Sequence, residues 1–311
     1  MLNFFLKKYL QKENKLLNKN LLTILKENKI NFLDIGASHG IPERWFFLEK
    51  GLKKFLVEPH SETSKDLKNK DNIVIEKLLG KKIGGNLSFY ETKKRRCSSF
   101  LKPNMNHLNK FPDPERFSIE RTINLSTSTL DKELENLNEK PDFIKIDTEG
   151  SELDILQGST KSLNSILGIE IEACYFQLRE GQPLISDTLK FFSETNLEFI
   201  DFLSIIRWEK DKHRFTGQPQ ISDLLFLQKP ENILKNYLEN KITENVLRKY
   251  ICILSVYQRI DYLKFLCKNE KIQKNIPEIK IINNLIEKKI NRVNLISRIS
   301  YILINKIQNV I

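Results

Sequence analysis

A chain of 311 residues, 40% hydrophobic and 29% charged, has enough apolar material for a substantial core and is excluded from the disordered class. Its four cysteines, Cys97, Cys174, Cys252 and Cys267, show no C-x-x-C spacing, which speaks against a disulfide frame or a zinc site and for free thiols in a reducing compartment. The net charge of +11 sits on the flanks, +5 over residues 1–30 and +8 over 231–311, leaving −2 for the stretch between them. A near-neutral centre argues against nucleic acid as the partner.

The N-terminal stretch MLNFFLKKYLQKENK has only a short apolar patch, less than a signal-peptide core or a membrane span requires, and no later run reaches about 18 apolar residues. The expectation is a cytoplasmic protein, with 1–30 as an N-terminal helical extension. From Asn31, strand-like and helix-like segments alternate. NFLDIG (31–36) reads as a strand ending at a glycine, PERWFFLEKG (42–51) as a helix with Pro42 in its first turn, and KKFLVEP (53–59) as a second strand. Ser61 caps a helix over 61–70, and NIVIEKLL (72–79) is a third strand. NLSFYET (86–92) alternates as an edge strand does, whereas KKRRCSSFLKPNMNHLNKFPDPERF reads as a long loop of the kind used as a lid or binding segment.

TLDKELENL (129–137) is helical, DFIKI leads a fourth main strand into a helix over 151–158, and ILGIEIEACY (166–175) is a fifth. A helix over 184–195 follows. LEFIDFLS (197–204) and ISDLLFLQK (221–229) then pair as a hairpin across 205–220. The expected fold is α/β, a doubly wound Rossmann-like methyltransferase sheet whose last strand is antiparallel, over a domain of 31–230. Beyond Pro230 the spacing of Leu234, Tyr237, Leu238 and Ile242 predicts a basic helical accessory region over 231–311. Its basic faces read first as solvated helix surfaces, with anionic lipid at a membrane periphery or a phosphorylated glycan precursor as alternatives. The region itself is expected to pack on the sheet domain or on a second subunit of a homo-oligomer.

The turn after the first strand, FLDIGASHG, holds Asp34, Gly36, Ala37, Ser38 and Gly40. A dinucleotide fingerprint wants G-x-G-x-x-G around a pyrophosphate, and its second glycine is missing here. Asp34 would repel a pyrophosphate but suits a cation, and S-adenosylmethionine is a sulfonium cation with an ammonium group. Glu58, 18 residues after Gly40, stands where an acid holds both ribose hydroxyls.

LDIGASHG, VEPH (57–60), STLDKEL (128–134) and FIKIDTEGSELDILQGS (143–159), in that order, resemble the FkbM family of S-adenosylmethionine-dependent methyltransferases, with KIDTEG (145–150) and Glu152 the most distinctive block. The resemblance spans roughly 31–229. It implies methyl transfer from S-adenosylmethionine, mostly to hydroxyls of sugars, glycans or similar small molecules. It also implies cofactor contacts at Asp34, Gly36, Gly40 and Glu58, with Asp147 and Glu149 bordering the acceptor.

Asp147 ends the fourth strand beside the glycine turn, where it could take or orient a hydroxyl proton. Glu149 reads equally as a cap or a site residue, Glu152 as a cap or surface acid, and Lys145 as a partner for a neighbouring acid. The strand ends without N/D-P-P-Y/F, the turn with which amino-directed methyltransferases hold a nitrogen, so oxygen is favoured as acceptor. His213 is a second candidate base, its ordinary titration suiting neutral pH, although a histidine in a charged loop is more often simply exposed. Trp208 could stack on a sugar ring or cover the sheet, with Arg207 and Arg214 beside it. His39 would contribute backbone only, His60 opens a helix, and Ser98 and Ser99 are acceptor-side candidates in the long loop. A metal held by Asp147 with Glu170 or Glu172 has no His/Asp spacing in its favour, and none is expected. The competing reading is a silent methyltransferase-like scaffold whose basic flanks bind a partner or a membrane.

Overall fold

The computed structural model describes residues 16–26, 28–37, 40–59, 61–68, 72–210, 217–288 and 291. The chain divides into two compact units, one of residues 30–41 and 52–229, the other of residues 1–29, 42–51 and 230–311.

In the first unit the strands are β1 (Ile30–Ile35), β2 (Leu52–Val57), β3 (Asn72–Ile75), β4 (Leu78–Leu79), β5 (Asn86–Thr92), β6 (Ile119–Ser128), β7 (Phe143–Ile146), β8 (Gly168–Cys174), β9 (Leu197–Trp208) and β10 (Gln218–Gln228). Seven of them form one sheet in the order β3-β2-β1-β7-β8-β10-β9. The first five of that order run parallel, and β10 is antiparallel to both β8 and β9. The reversal at β1 and β7 is a topological switch point, and it puts the ends of these strands at one carboxyl edge. Leu33, Ile35, Phe55, Val57, Ile144, Ile146, Ile169 and Ile171 fill the core around this sheet. Phe226 of β10 is 1% exposed, with its ring stacked 3.9 Å from Phe192. In chain order the helices of the same unit are α2 (Ser61–Leu67), α3 (Met105–Leu108), α4 (Leu130–Leu137), α5 (Glu152–Gln157), α6 (Thr160–Leu163) and α7 (Ile185–Ser193), with α1 reserved for residues 16–25 of the other unit. Thr129 caps α4 by accepting from the Lys132 amide, and Asn138 ends it in the left-handed region at φ +52°.

Four expectations need correction. Residues 43–51 wind as a 3-10 helix and group with the helical unit. The segment 72–79 divides at Glu76-Lys77, β3 staying in the main sheet and β4 leaving to pair with β6. The stretch 93–128 is built rather than looped. It holds 3-10 turns at Arg95–Cys97 and Pro114–Phe117 as well as α3, and β6 joins β4 and β5 in a separate three-stranded sheet. The closing hairpin is longer than expected, with Gln218 pairing with Trp208.

The second unit contains α1, the 3-10 helix, α8 (Pro230–Leu238), α9 (Glu244–Val256), α10 (Ile260–Cys267), α11 (Glu270–Asn275) and a helix over 278–288. Its centre is α9, buried along most of its length. Arg248 is buried there, donating to the Ile24 carbonyl at 3.2 Å, the Asn275 carbonyl at 2.8 Å and Glu244. Among the described residues no helix is long and apolar enough to cross a membrane.

Phe226→Ala should cost about 3–5 kcal/mol in urea unfolding, because it empties a buried aromatic stack beneath the strand that closes the sheet.

Candidate active site

The carboxyl edge of the main sheet gathers acids from four strands. The register sets Asp34 of β1 beside Lys145 of β7, and Lys145 beside Glu170 of β8. Lys145 Nζ lies 3.1 Å from Asp147 Oδ2 and 3.5 Å from Asp34 Oδ1, so these carboxylates share one face of the sheet and one cation. Asp34 is fully buried, and neither of its oxygens accepts a hydrogen bond among the described residues. Burial pushes its carboxyl up to about 7, with Lys145 pulling the other way. Burial works against the Lys145 ammonium, but Asp34 and Asp147 outweigh it and hold it above the ordinary lysine value.

Gly36 follows β1 at φ +86°, and a Cβ there would lie 1.9 Å from the Asp147 carbonyl oxygen. The glycine is thus required by the close approach of two strand ends as well as by its backbone angle. The Gly36 and Ala37 amides donate to the Val57 carbonyl at 3.0 and 3.2 Å, so these two amides are committed to the sheet rather than turned outward. Gly40, at φ +73°, has open space where a side chain would stand. Glu58 is buried directly after β2, its amide donating to the Ile75 carbonyl. Ser38, His39, His60, His213 and Arg214 lie outside the described residues.

After Asp147 the chain makes a tight turn. Glu149 takes φ +62° and Gly150 φ +116°; the left-handed region is costly for a glutamate and has to be held by its surroundings. Glu152 does this from inside. One of its oxygens accepts from the Thr148 amide at 2.9 Å, the Thr148 hydroxyl at 3.1 Å and the Gly150 amide at 3.0 Å. It is a buried turn clasp, not a surface acid. Burial raises its carboxyl and the bonds from the turn partly offset that. From outside, Ser99 Oγ donates to the Glu149 carbonyl at 2.8 Å, and the Glu149 carboxylate pairs with Arg179. Arg179 is fully buried and also donates to the Cys97 carbonyl at 3.1 Å. Glu149 therefore makes an ion pair and does not cap α5, whose N-cap residue Ser151 makes no side-chain cap bond.

Residues 97–104 run as a strap over this edge, stitched to 177–180. The Glu180 amide donates to the Lys102 carbonyl at 2.8 Å, and Asn104 donates through its backbone to Leu178 and through its side chain to Gln177. Ser98 accepts from the Thr92 amide. Trp208 is packed by Phe111, Phe117 and Arg116, the guanidinium 4.8 Å from its ring. Arg207 donates to the Gly217 carbonyl.

Arg179 escapes sequence reading, and Glu172 enters it only as a possible metal ligand. Arg179 lies in an ordinary polar loop, and only tertiary packing buries it. Glu172 left a signal in the pattern I-E-I-E of β8, because acids alternating with isoleucine in a buried strand must share a face with something polar. It is half-buried and stands opposite Asp223 of β10. Burial raises its carboxyl well above the usual range, as do the negative charges of Asp147, Glu149, Glu152 and Asp223. No group of three or more His, Cys, Asp or Glu suited to a metal ion occurs among the described residues.

The family described as the methyltransferase FkbM domain matches residues 34–203, more than half of the chain. Among solved structures, the chain is similar to a precorrin-6y C5,15-methyltransferase from Geobacter metallireducens GS-15, at 11% identity and TM-score 0.36 over 68% of this chain and 87% of that one. A protein of the NADB-Rossmann superfamily from Streptococcus agalactiae is 11% identical, with TM-score 0.31 over 87% and 95%. An S-adenosylmethionine-dependent methyltransferase from Archaeoglobus fulgidus is 15% identical, with TM-score 0.27 over 73% and 99%. No curated protein matches the chain.

Gly36→Ala should destabilise by roughly 3 kcal/mol or more, since the added methyl meets backbone and the backbone angle disfavours it. Glu152→Ala should cost about 1–3 kcal/mol by leaving the donors of the turn without their acceptor. Urea unfolding measures both.

Proposed function

The chain belongs to the FkbM methyltransferase family, and we propose that this S-adenosylmethionine-dependent methyltransferase acts on a hydroxyl of a sugar, glycan or similar small molecule. The cofactor supplies an electrophilic methyl group carried on a sulfonium cation. Asp34, a buried carboxylate 3.5 Å from the Lys145 ammonium and with neither oxygen accepting a hydrogen bond among the described residues, fits a cationic ligand, because a buried anion shared with a second acid for one cation gains from further positive charge. Asp34 would hold the cofactor's cationic part and Glu58 its ribose hydroxyls, with Gly36, Ala37 and Gly40 as further contacts; Ser38, also a candidate contact, lies outside the described residues.

The observation that carries an oxygen acceptor is the Asp147-Thr148-Glu149-Gly150 turn. It offers carboxylates, which accept a hydroxyl proton, and lacks the proline-aromatic turn suited to an exocyclic nitrogen. Asp147, half-exposed and tied to Lys145 at 3.1 Å, orients the acceptor hydroxyl. Glu149, fastened by Arg179, fixes the turn on which Asp147 sits. His213, which falls between the last two strands in sequence and lies outside the described residues, is a further acceptor-side candidate. The strap and the Phe111–Phe117–Trp208 cluster would exclude water from the edge.

Incubation with methyl-labelled S-adenosylmethionine and a cell glycan extract tests the reading. Label in alkali-stable ether linkage to sugar is expected; label confined to nucleic acid or to amines would overturn it. Asp147→Asn should leave cofactor affinity within about threefold by calorimetry and lower turnover about 10²-fold through misplacement of the acceptor. Asp34→Asn should weaken cofactor binding at least about tenfold, the loss of one charge-assisted contact. Its unfolding should also respond less to pH. The Asp34 carboxyl is raised from 3.8 to about 7, so the native state keeps a proton that the unfolded chain has released between those values. The stability this gives is complete below about pH 4 and lost as pH rises through 7. Urea unfolding of wild type should therefore weaken across pH 5–8 more steeply than that of Asp34→Asn.

A further inference from the structure

We propose that Glu172, at the end of β8, is the general base that takes the acceptor's hydroxyl proton. The inference rests on the hydroxyl-acceptor reading and names the residue that completes it. Its ground is how the charges at this edge are shared out. Among the described residues two cations serve the acids there, and both are committed: Lys145 lies between Asp34 and Asp147, and Arg179 pairs with Glu149. Glu152 is occupied by the donors of the turn, and Asp223 accepts from the Ser204 hydroxyl at 2.6 Å.

Among the described residues the Glu172 side chain makes no hydrogen bond or ion pair, its backbone being held in the β8–β10 ladder. It also stands in the right place. Ile146 pairs with Ile171, so the next step along each strand brings Asp147 and Glu172 to adjacent positions at the carboxyl edge, and Asp223 faces Glu172 from the other side. Glu172 is half-buried, open enough to meet an acceptor and shielded enough to resist ionisation. The acids around it add charge of the same sign. β7 and its turn contribute Asp147, Glu149 and Glu152, β10 contributes Asp223, and Glu170 lies two residues earlier on β8 itself; the opposing charges are Lys145 and Arg179. The raised proton affinity that follows is what a base working near neutral pH requires, whereas a carboxylate locked to lysine is a weak one.

The step balances simply. As the hydroxyl oxygen bonds to the methyl carbon, the carbon–sulfur bond breaks and its electron pair stays on sulfur. The hydroxyl proton passes to the Glu172 carboxylate and then to solvent.

The test uses the full chain labelled with [δ-13C]glutamate, which leaves the aspartates silent. The carboxyl resonance missing from Glu172→Gln identifies the residue. In wild type it should titrate well above the value of about 4.3 for an ordinary glutamate, and the midpoint should fall when S-adenosylmethionine is added. In the methyl-transfer assay, Glu172→Gln should bind the cofactor within threefold of wild type, lose at least about 10²-fold in kcat and lose the acid limb of the kcat–pH profile. Glu172→Asp, which keeps a carboxylate, should retain that limb at reduced rate. A midpoint near 4.3, or wild-type turnover in Glu172→Gln, overturns the assignment. Methyl label found on nitrogen alone would instead sink the hydroxyl reading, and the base with it, whatever the midpoint.

Discussion

One lysine sets the electrostatics of this protein. Lys145 lies in the middle of the sheet at the crossover point, with Asp34 on one neighbouring strand and Asp147 at the end of its own. Without it, two carboxylates on one buried face would repel each other in surroundings that screen poorly. With it, both keep defined positions, and Asp34 is left with oxygens that no hydrogen bond satisfies. The carboxyl edge of the sheet is an incompletely neutralised ion cluster, and a cationic donor is the ligand proposed to complete it.

The backbone enforces the same geometry. Gly36 permits the end of β1 to touch the Asp147 carbonyl, and the Asp147 amide donates to Ile35 at 3.0 Å. Glu152 and the Arg179–Glu149 pair then grip the turn from its two sides. A strained left-handed glutamate is held in place by residues from α5, from the strap and from the loop after β8.

The parallel sheet was readable from the sequence because buried strands such as FLDI, FLV and FIKI are mostly apolar runs with a sharp end. The edge acids were readable because they close those runs at fixed chain positions. What escaped depends on contacts distant in sequence. β6 has the exposure pattern of a ribbon with little buried surface, so no hydrophobic period marks it. The segment 93–117 is organised by elements of three or four residues, too short to carry a helical repeat. Arg179 resembles any loop arginine until Cys97 and Glu149 are folded against it. Glu172 was visible as a letter, but its lack of a counterion became apparent only when Lys145 and Arg179 were seen to be spoken for.

The surplus of carboxylates over cations at this edge also bears on turnover. The donor arrives carrying a positive sulfur and departs, one carbon lighter, as a neutral thioether. A negative seat holds the first more strongly than the second, so the spent molecule loosens its own grip at the moment it is made. On the proposed placement of the cofactor, charge therefore favours departure of the by-product over departure of the donor.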